Sequence, residues 1–205
     1  MKYRHLTILL AVGSILFTAC GSSRAASSPS ATPTSTTSDR STKAPSTGSL
    51  NAAEIVFAQS MIPHHQQAVE MANMALDAAA HAGDNVRALA TGIKAAQDPE
   101  IKTMQGWLKT AGQPKTMDTA MGGMDGGSAM PGMMSSAEMS GLKALQGAKF
   151  DKMWLNMMIR HHQGAITMAE TVTTGGSNAD VLGLAAKIIV AQQSEIDKMK
   201  ILLPG

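Results

Sequence analysis

The stretch Met158-Ile159-Arg160-His161-His162-Gln163-Gly164-Ala165-Ile166 echoes an earlier one, Met61-Ile62-Pro63-His64-His65-Gln66-Gln67-Ala68-Val69, at an offset of 97 residues. The match extends beyond the histidines: Met71-Ala72 falls on Met168-Ala169, and Ala75 on Val172. Around each histidine pair the apolar residues recur in steps of three and four. The first series is Phe57, Met61, His64, Ala68, Met71 and Ala75; the second is Phe150, Trp154, Met158, His161, Ala165, Met168 and Val172. That spacing is one face of an α-helix. A further pair of segments aligns at an offset of 95, with Gln97, Glu100, Ile101 and Met104 on Gln192, Glu195, Ile196 and Met199. The recurring unit is therefore a helical hairpin. Two hairpins with one apolar stripe each bury those stripes by packing together, so the expected fold is all-α, a four-helix bundle of two repeated hairpins.

Composition agrees with helices. The 205 residues are 44% hydrophobic but only 3% aromatic, so the core must come from aliphatic residues and the 17 methionines, a mixture that suits helices better than strands. The net charge of +2, with no Lys/Arg run, gives no basis for a nucleic-acid partner.

Local signals set the boundaries. Asn51-Ala52-Ala53-Glu54 reads as a capping box at the start of the first helix, and Ser135-Ser136-Ala137-Glu138 as another, opening a short helix to about Gln146. Turns are expected at His81–Asp84 and Thr173–Asn178. Pro63 should kink the first helix or make it restart at the histidines, and Asp98-Pro99 should interrupt the second, because an interior proline removes a hydrogen bond and crowds the preceding turn.

Three segments precede and interrupt the bundle. Residues 1–20 read as a leader: a basic start, an apolar run from Leu6 to Phe17, and Thr18-Ala19-Cys20-Gly21, which resembles the bacterial lipobox in which Cys20 is lipidated. An ordinary cleaved leader with an incidental cysteine would export the chain equally. Lipidation would anchor it to the outer face of the cell membrane and leave no free thiol, since Cys20 is the single cysteine. Residues 21–48 are Ser, Thr, Ala and Pro without periodicity, a tether holding the domain of residues 49–205 off that membrane. Within the domain, residues 110–136 are rich in glycine and carry Met117, Met121, Met124, Met130, Met133 and Met134, thioethers spaced closely enough to converge on one soft ion.

The histidine pairs point the same way. At a rise of ~1.5 Å per residue along each arm, counting back from the turns puts Glu100 and Met104 within a turn of His64 and His65, and Glu195 level with His161 and His162. Met61 and Met71 share the face of His64, Met158 and Met168 that of His161, and Met199 follows Glu195 by four. Imidazole and thioether together suit copper, Cu(I) in particular; carboxylates from Glu100 and Glu195 could ligate a harder oxidation state or orient a histidine. The plainer alternative is that histidine and methionine in a stripe are simply core.

The same residues carry a family resemblance. Phe150-Asp151, Met158-Ile159-x-His161-His162-x-Gly164-Ala165-Ile166-x-Met168-Ala169 and Ile188-x-x-x-Gln192-x-x-Glu195-Ile196-x-x-Met199 resemble the DUF305 family. So do Met61 to Ala68 and Gln97-x-x-Glu100-Ile101-x-x-Met104-x-x-Trp107-Leu108. The resemblance spans about residues 51–203. It implies a ferritin-like four-helix fold in an exported bacterial protein, and, for some members, copper binding and tolerance. The expectation is a non-enzymatic lipoprotein that binds copper or silver for buffering, tolerance or delivery. Its partners are the metal ion and, through Cys20, the membrane, with homo-oligomerisation left open. Two alternatives stand beside it. A ferritin-like di-metal oxidase would place a Glu three residues before its histidine, where this chain has Met61 and Met158. A metal-free interaction module would use the histidines as buried polar packing.

Overall fold

Five α-helices and one 3-10 turn form the described part of the computed structural model, residues 49–116 and 130–203. They are α1 (Ala52–Leu76), α2 (Asp84–Thr110), α3 (Ser136–Lys143), α4 (Gly147–Gly175) and α5 (Ala179–Leu202). No strand occurs among the described residues. Helices α1 and α2 form one hairpin and α4 and α5 the other. The hairpins meet chiefly through α1 against α4, while α2 and α5 barely touch, and the short α3 rests on α4. The two helices with paired histidines are thus the inner pair of a four-helix bundle.

Both capping boxes form. Glu54 accepts from the backbone N–H of Asn51 at 2.7 Å and its own N–H donates to Asn51 Oδ1 at 3.0 Å. Its second oxygen accepts from the N–H groups of Ser177 and Asn178, at 2.5 and 2.6 Å, so one buried carboxylate also fixes the α4–α5 turn against the start of α1. Ser135 and Glu138 cap α3 in the same way, although that helix stops at Lys143 rather than Gln146. Trp154, fully buried on α4, donates its indole N–H to the Met71 carbonyl of α1 at 2.9 Å.

Neither proline makes its helix restart. Helix α1 runs unbroken through Pro63, and α2 through Pro99. An interior proline costs a helix ~3 kcal/mol, but both halves of each helix bury apolar side chains. For α1 these are Phe57, Ala58, Met61 and Ile62 before the proline, and Ala68, Met71, Ala72 and Ala75 after it. Fully burying one Leu-sized side chain is worth roughly 1.5–3 kcal/mol, so packing on either side outweighs the missing bond.

The core is divided. One apolar cluster contains Phe57, Met61 and Ile62 of α1, Ile101, Met104 and Leu108 of α2, Ala165, Ala169 and Val172 of α4, and Val181, Ala185 and Ile188 of α5. The other takes Ala68, Met71 and Ala75 of α1, Val86, Ala90 and Ile93 of α2, Phe150, Trp154 and Met158 of α4, and Ile196 and Met199 of α5. The residues between the two clusters on every helix are polar: His64 and His65, Gln97, His161 and His162, and Gln192, all buried. A single polar layer crosses the bundle at mid-height.

Candidate metal centre

Each histidine in the layer is placed by the face of its helix. His64 and His161, on the central stripes of α1 and α4, stack across the interface with ring centroids 3.8 Å apart and planes inclined by 38°. His65 and His162 point to the flanks. The Nε2–H of His65 donates to Glu100 Oε2 at 2.8 Å, and that of His162 to Glu195 Oε2 at 2.7 Å. These carboxylates stand at the rim, their side chains 19% and 18% exposed, over imidazoles that are fully buried. The uninterrupted course of α2 through Pro99 keeps Glu100 in register with its counterpart.

Hydrogen bonding also fixes the tautomers. The carboxylates hold the Nε2–H form of His65 and His162, and the Pro131 carbonyl does the same for His64, accepting from its Nε2 at 2.9 Å. In the neutral ring Nδ1 is then the nitrogen that carries the lone pair, and in none of the three does it have a hydrogen-bond partner. Neither nitrogen of His161 has a partner of full hydrogen-bond geometry, the nearest approach being that of the His64 backbone. Unpaired buried groups of this kind cost about 1–3 kcal/mol each, and neutral imidazole with a free lone pair is the form that binds metal. Burial, against a smaller opposing effect of the Pro131 carbonyl, pushes the His64 imidazole down to about 4. His161 is held well below 6.5 by burial and by the neighbouring histidines. Both inner imidazoles are therefore neutral at physiological pH.

The methionines sort by cluster. Met61 and Met104 lie fully buried on one side of the layer, and Met158, Met199 and Met71 on the other. Met61 and Met158 are one turn from the inner histidines, Met71 two turns, roughly 10 Å along the axis. Met168 is only partly buried and lines an outer apolar groove with Ala52, Val56 and Thr171. At the corresponding position on α1, Met71 is fully buried.

The Gly/Met segment is only partly described. Met117, Met121 and Met124 lie outside the described residues, as does Cys20. Met130, Met133 and Met134 belong to a strap that crosses the inner helices beside the histidines. The Gln67 carboxamide clamps it at both Met134 backbone groups, accepting from the N–H at 2.7 Å and donating to the carbonyl at 2.9 Å. Opposite, the strap touches the α4 backbone at Gly164, where a Cβ would stand 1.9 Å from the Pro131 oxygen. Gly132, at φ +78°, makes the turn that allows this contact. Met134 is buried in the core, and its sulfur accepts from Arg160 at 2.7 Å; Arg160 also pairs with Glu138. The expected flexible collection of thioethers is, over Met130–Met134, a fixed strap whose backbone occupies His64.

Sequence reasoning gives no site role to Gln67, Pro131 or Gly164, and marks Gln97 and Gln192 only as matching positions of the repeat. Neither carboxamide oxygen in fact finds a partner, nor does the Gln97 Nε2. In the sequence Gln67 and Gly164 mark one of two places where the histidine motifs differ in residue class, a polar side chain against none; the other is Pro63 against Arg160.

The donor set meets the requirements of a soft or borderline ion: neutral imidazoles with unpaired lone pairs, and thioethers a turn away. Among the described residues no three His, Cys, Asp or Glu side chains surround one point. An ion in the layer would therefore need methionine or glutamine donors as well as imidazole.

Comparison with known proteins places this geometry. A model of the domain of unknown function DUF305 matches residues 54–203. The crystal structure of a DUF305 protein of Streptomyces coelicolor, inferred to be secreted, superposes with a TM-score of 0.66 at 34% identity, over 73% of this chain and 91% of that one. A DUF305 fragment from Deinococcus radiodurans gives 0.62 at 31% identity, over 75% and 97%. CopM in its Cu(II)-bound form gives 0.61 at 33%, over 73% and 94%, and CopM is also known bound to Cu(I) and to silver. Protein L153 of Acanthamoeba polyphaga mimivirus, itself uncharacterised, is 42% identical over 53 residues, 26% of this chain and only 35% of the viral one. With the family model spanning the whole bundle and the solved structures sharing its fold, the chain belongs to the DUF305 family.

Proposed function

We propose that this protein is an exported, non-enzymatic copper-binding lipoprotein that takes up the ion in its mid-bundle histidine layer, for buffering, tolerance or delivery. The observation that carries the reading is the layer itself: four buried imidazoles with five unpaired ring nitrogens between two apolar clusters. A metal-free bundle would gain stability from aliphatic residues there. The binding of Cu(II), Cu(I) and silver by CopM, at about 30% identity, supports copper and silver as the cargo.

The chain's own residues divide the work. Glu100 and Glu195 hold the Nε2–H of the outer histidines, which turns Nδ1 into the ligating atom and raises its basicity. Glu195 also lines a surface groove between α2 and α5, a route by which an ion reaches His162. Met61 and Met158 add thioethers that favour the monovalent ion. Met117, Met121 and Met124 form an auxiliary capture segment. Cys20 carries the lipid, and residues 21–48 give the domain reach from the outer face of the membrane. Among the described residues no helix is long and apolar enough to cross it.

The purified, metal-stripped full chain should bind Cu(I) in competition with a chelator. Changing His64, His65, His161 and His162 together to Ala should abolish the tightest class of site, with helical circular dichroism recording that the bundle survives. A folded quadruple variant that keeps full copper content would place the site elsewhere. Labelling with a radioactive fatty acid, lost in Cys20→Ser, tests the anchor.

A further inference from the structure

Gln97 and Gln192 have no part in the reading above, yet they complete the layer on the two outer helices. Each stands in the middle of an apolar stripe, between Ile93 and Ile101 on α2 and between Ile188 and Ile196 on α5. They are 2% and 3% exposed, and their Oε1 atoms have no hydrogen-bond partner. An aliphatic residue at either position would continue the stripe and avoid a cost of about 1–3 kcal/mol per unpaired group. The chain accepts that cost twice, at positions that correspond between the hairpins.

A buried carboxamide without a protein partner points to an occupant that is not protein. The candidates are water and the ion. Donor chemistry separates them: a carboxamide oxygen is a hard donor that adds little to a soft monovalent ion, but it suits a divalent one beside imidazole. Since among the described residues no three His, Cys, Asp or Glu side chains surround one point, imidazole alone does not complete a coordination sphere. The charge balance agrees, because burying a divalent cation requires compensation, and Glu100 and Glu195 bring two carboxylates to the rim of the layer.

We propose that Gln97 and Gln192 determine which oxidation state the layer holds: their Oε1 atoms help to retain Cu(II), whereas Cu(I) depends on imidazole and thioether. The inference rests on the copper reading above. The test compares the full chain with Gln97→Leu/Gln192→Leu, using Cu(II) and, as a soft ion that does not change oxidation state, Ag(I). Leucine should leave the apo-bundle folded, because it removes unpaired polar atoms without emptying the stripe. Cu(II) affinity should fall about 10- to 100-fold, while Ag(I) affinity stays within about threefold. The Cu(II) paramagnetic resonance spectrum should change as well. Gln97→Met/Gln192→Met should lose Cu(II) to the same extent and gain Ag(I). Unchanged Cu(II) affinity and spectrum in the leucine variant would assign the carboxamides to water alone. An equal fall for both ions would make them scaffold. Either result overturns the inference with copper binding intact; an unmodified chain that binds neither ion would instead overturn the copper reading itself, and the inference with it.

Discussion

The two hairpins treat their outer histidines alike and their inner ones differently. His65 and His162 each donate to a glutamate on the partner helix, at 2.8 and 2.7 Å. His64 donates to the Pro131 carbonyl, whereas neither ring nitrogen of His161 has a partner of comparable geometry. The difference traces to one pair of corresponding positions. On α1 it is Gln67, which grips the strap at Met134; on α4 it is Gly164, whose missing side chain lets the strap reach the helix backbone. A segment present once in the chain cannot serve two equivalent places, so it breaks the correspondence where it lands. The layer thus offers one inner imidazole already engaged and one free. The outer carboxylate pairs depend only on contacts within each hairpin and escape that asymmetry.

The largest expected effect concerns the inner pair. His64 has its pKa lowered from 6.5 to about 4, chiefly by burial. Between those values the unfolded chain binds more protons than the folded one, so stability rises with pH through this window. The contribution is complete above pH 6.5 and is lost as pH falls toward 4, on the order of 3 kcal/mol for this one group. His161 acts in the same direction. Urea unfolding of the metal-free protein should therefore show a midpoint that falls steeply between pH 6.5 and 4. His64→Gln, which cannot take up a proton, should flatten that dependence by its own share. A slope unchanged in His64→Gln would mean that the acid sensitivity lies outside the inner pair.

Much of this arrangement was legible in the sequence. The periodicity around each histidine pair and the offsets of 97 and 95 were enough to place four helices and to bring Glu100 and Glu195 to the histidine level. They succeed because apolar period and rise per residue are properties of the helix alone. The prolines end neither helix for the complementary reason: their cost is local, and packing on either side of Pro63 and Pro99 outweighs it. The strap was hidden because nothing periodic marks residues 130–135, and its anchor Gln67 lies 67 positions away from Met134. The role of Gln97 and Gln192 was hidden too, since an unpaired group is defined only once its surroundings are known.

The strap supplies the next comparison. Gly164→Ala puts a Cβ where only 1.9 Å separates it from the Pro131 oxygen, so the strap must lift or α4 must shift. Overpacking of this kind costs about 1–3 kcal/mol, and the lifted strap leaves the His64 Nε2–H without its acceptor. Gln67→Ala approaches the same strap from the other helix and removes both bonds to Met134. Because one strap answers to both residues, their effects should be less than additive in the double variant, measured by urea unfolding. Full additivity would show that Gln67 and Gly164 act on separate structures, and the asymmetry of the hairpins would then need two causes.

The smallest effect is expected at Arg160, which reaches the strap from the solvent side. It pairs with Glu138 and donates to the Met134 sulfur at 2.7 Å, but its side chain is 50% exposed and that of Glu138 36%. The guanidinium, with the Ser135 backbone N–H, holds the Glu138 carboxyl at about 2. A depressed carboxyl stabilises above its unfolded pKa and loses that contribution only as pH falls through the folded value, so the pair is fully formed at neutral pH. Exposed pairs are nevertheless worth about 0–1 kcal/mol and are screened by salt. Arg160→Ala should lower stability by no more than that, and the difference should shrink at high ionic strength. The position corresponding to Arg160 on α1 is Pro63, which can make no such contact, so the variant tests how much of the asymmetry this side chain carries. A loss as large as that of Gly164→Ala would mean that the strap is held mainly through its junction with α3. The decisive difference between the hairpins would then lie at Arg160 and Pro63 rather than at Gly164 and Gln67.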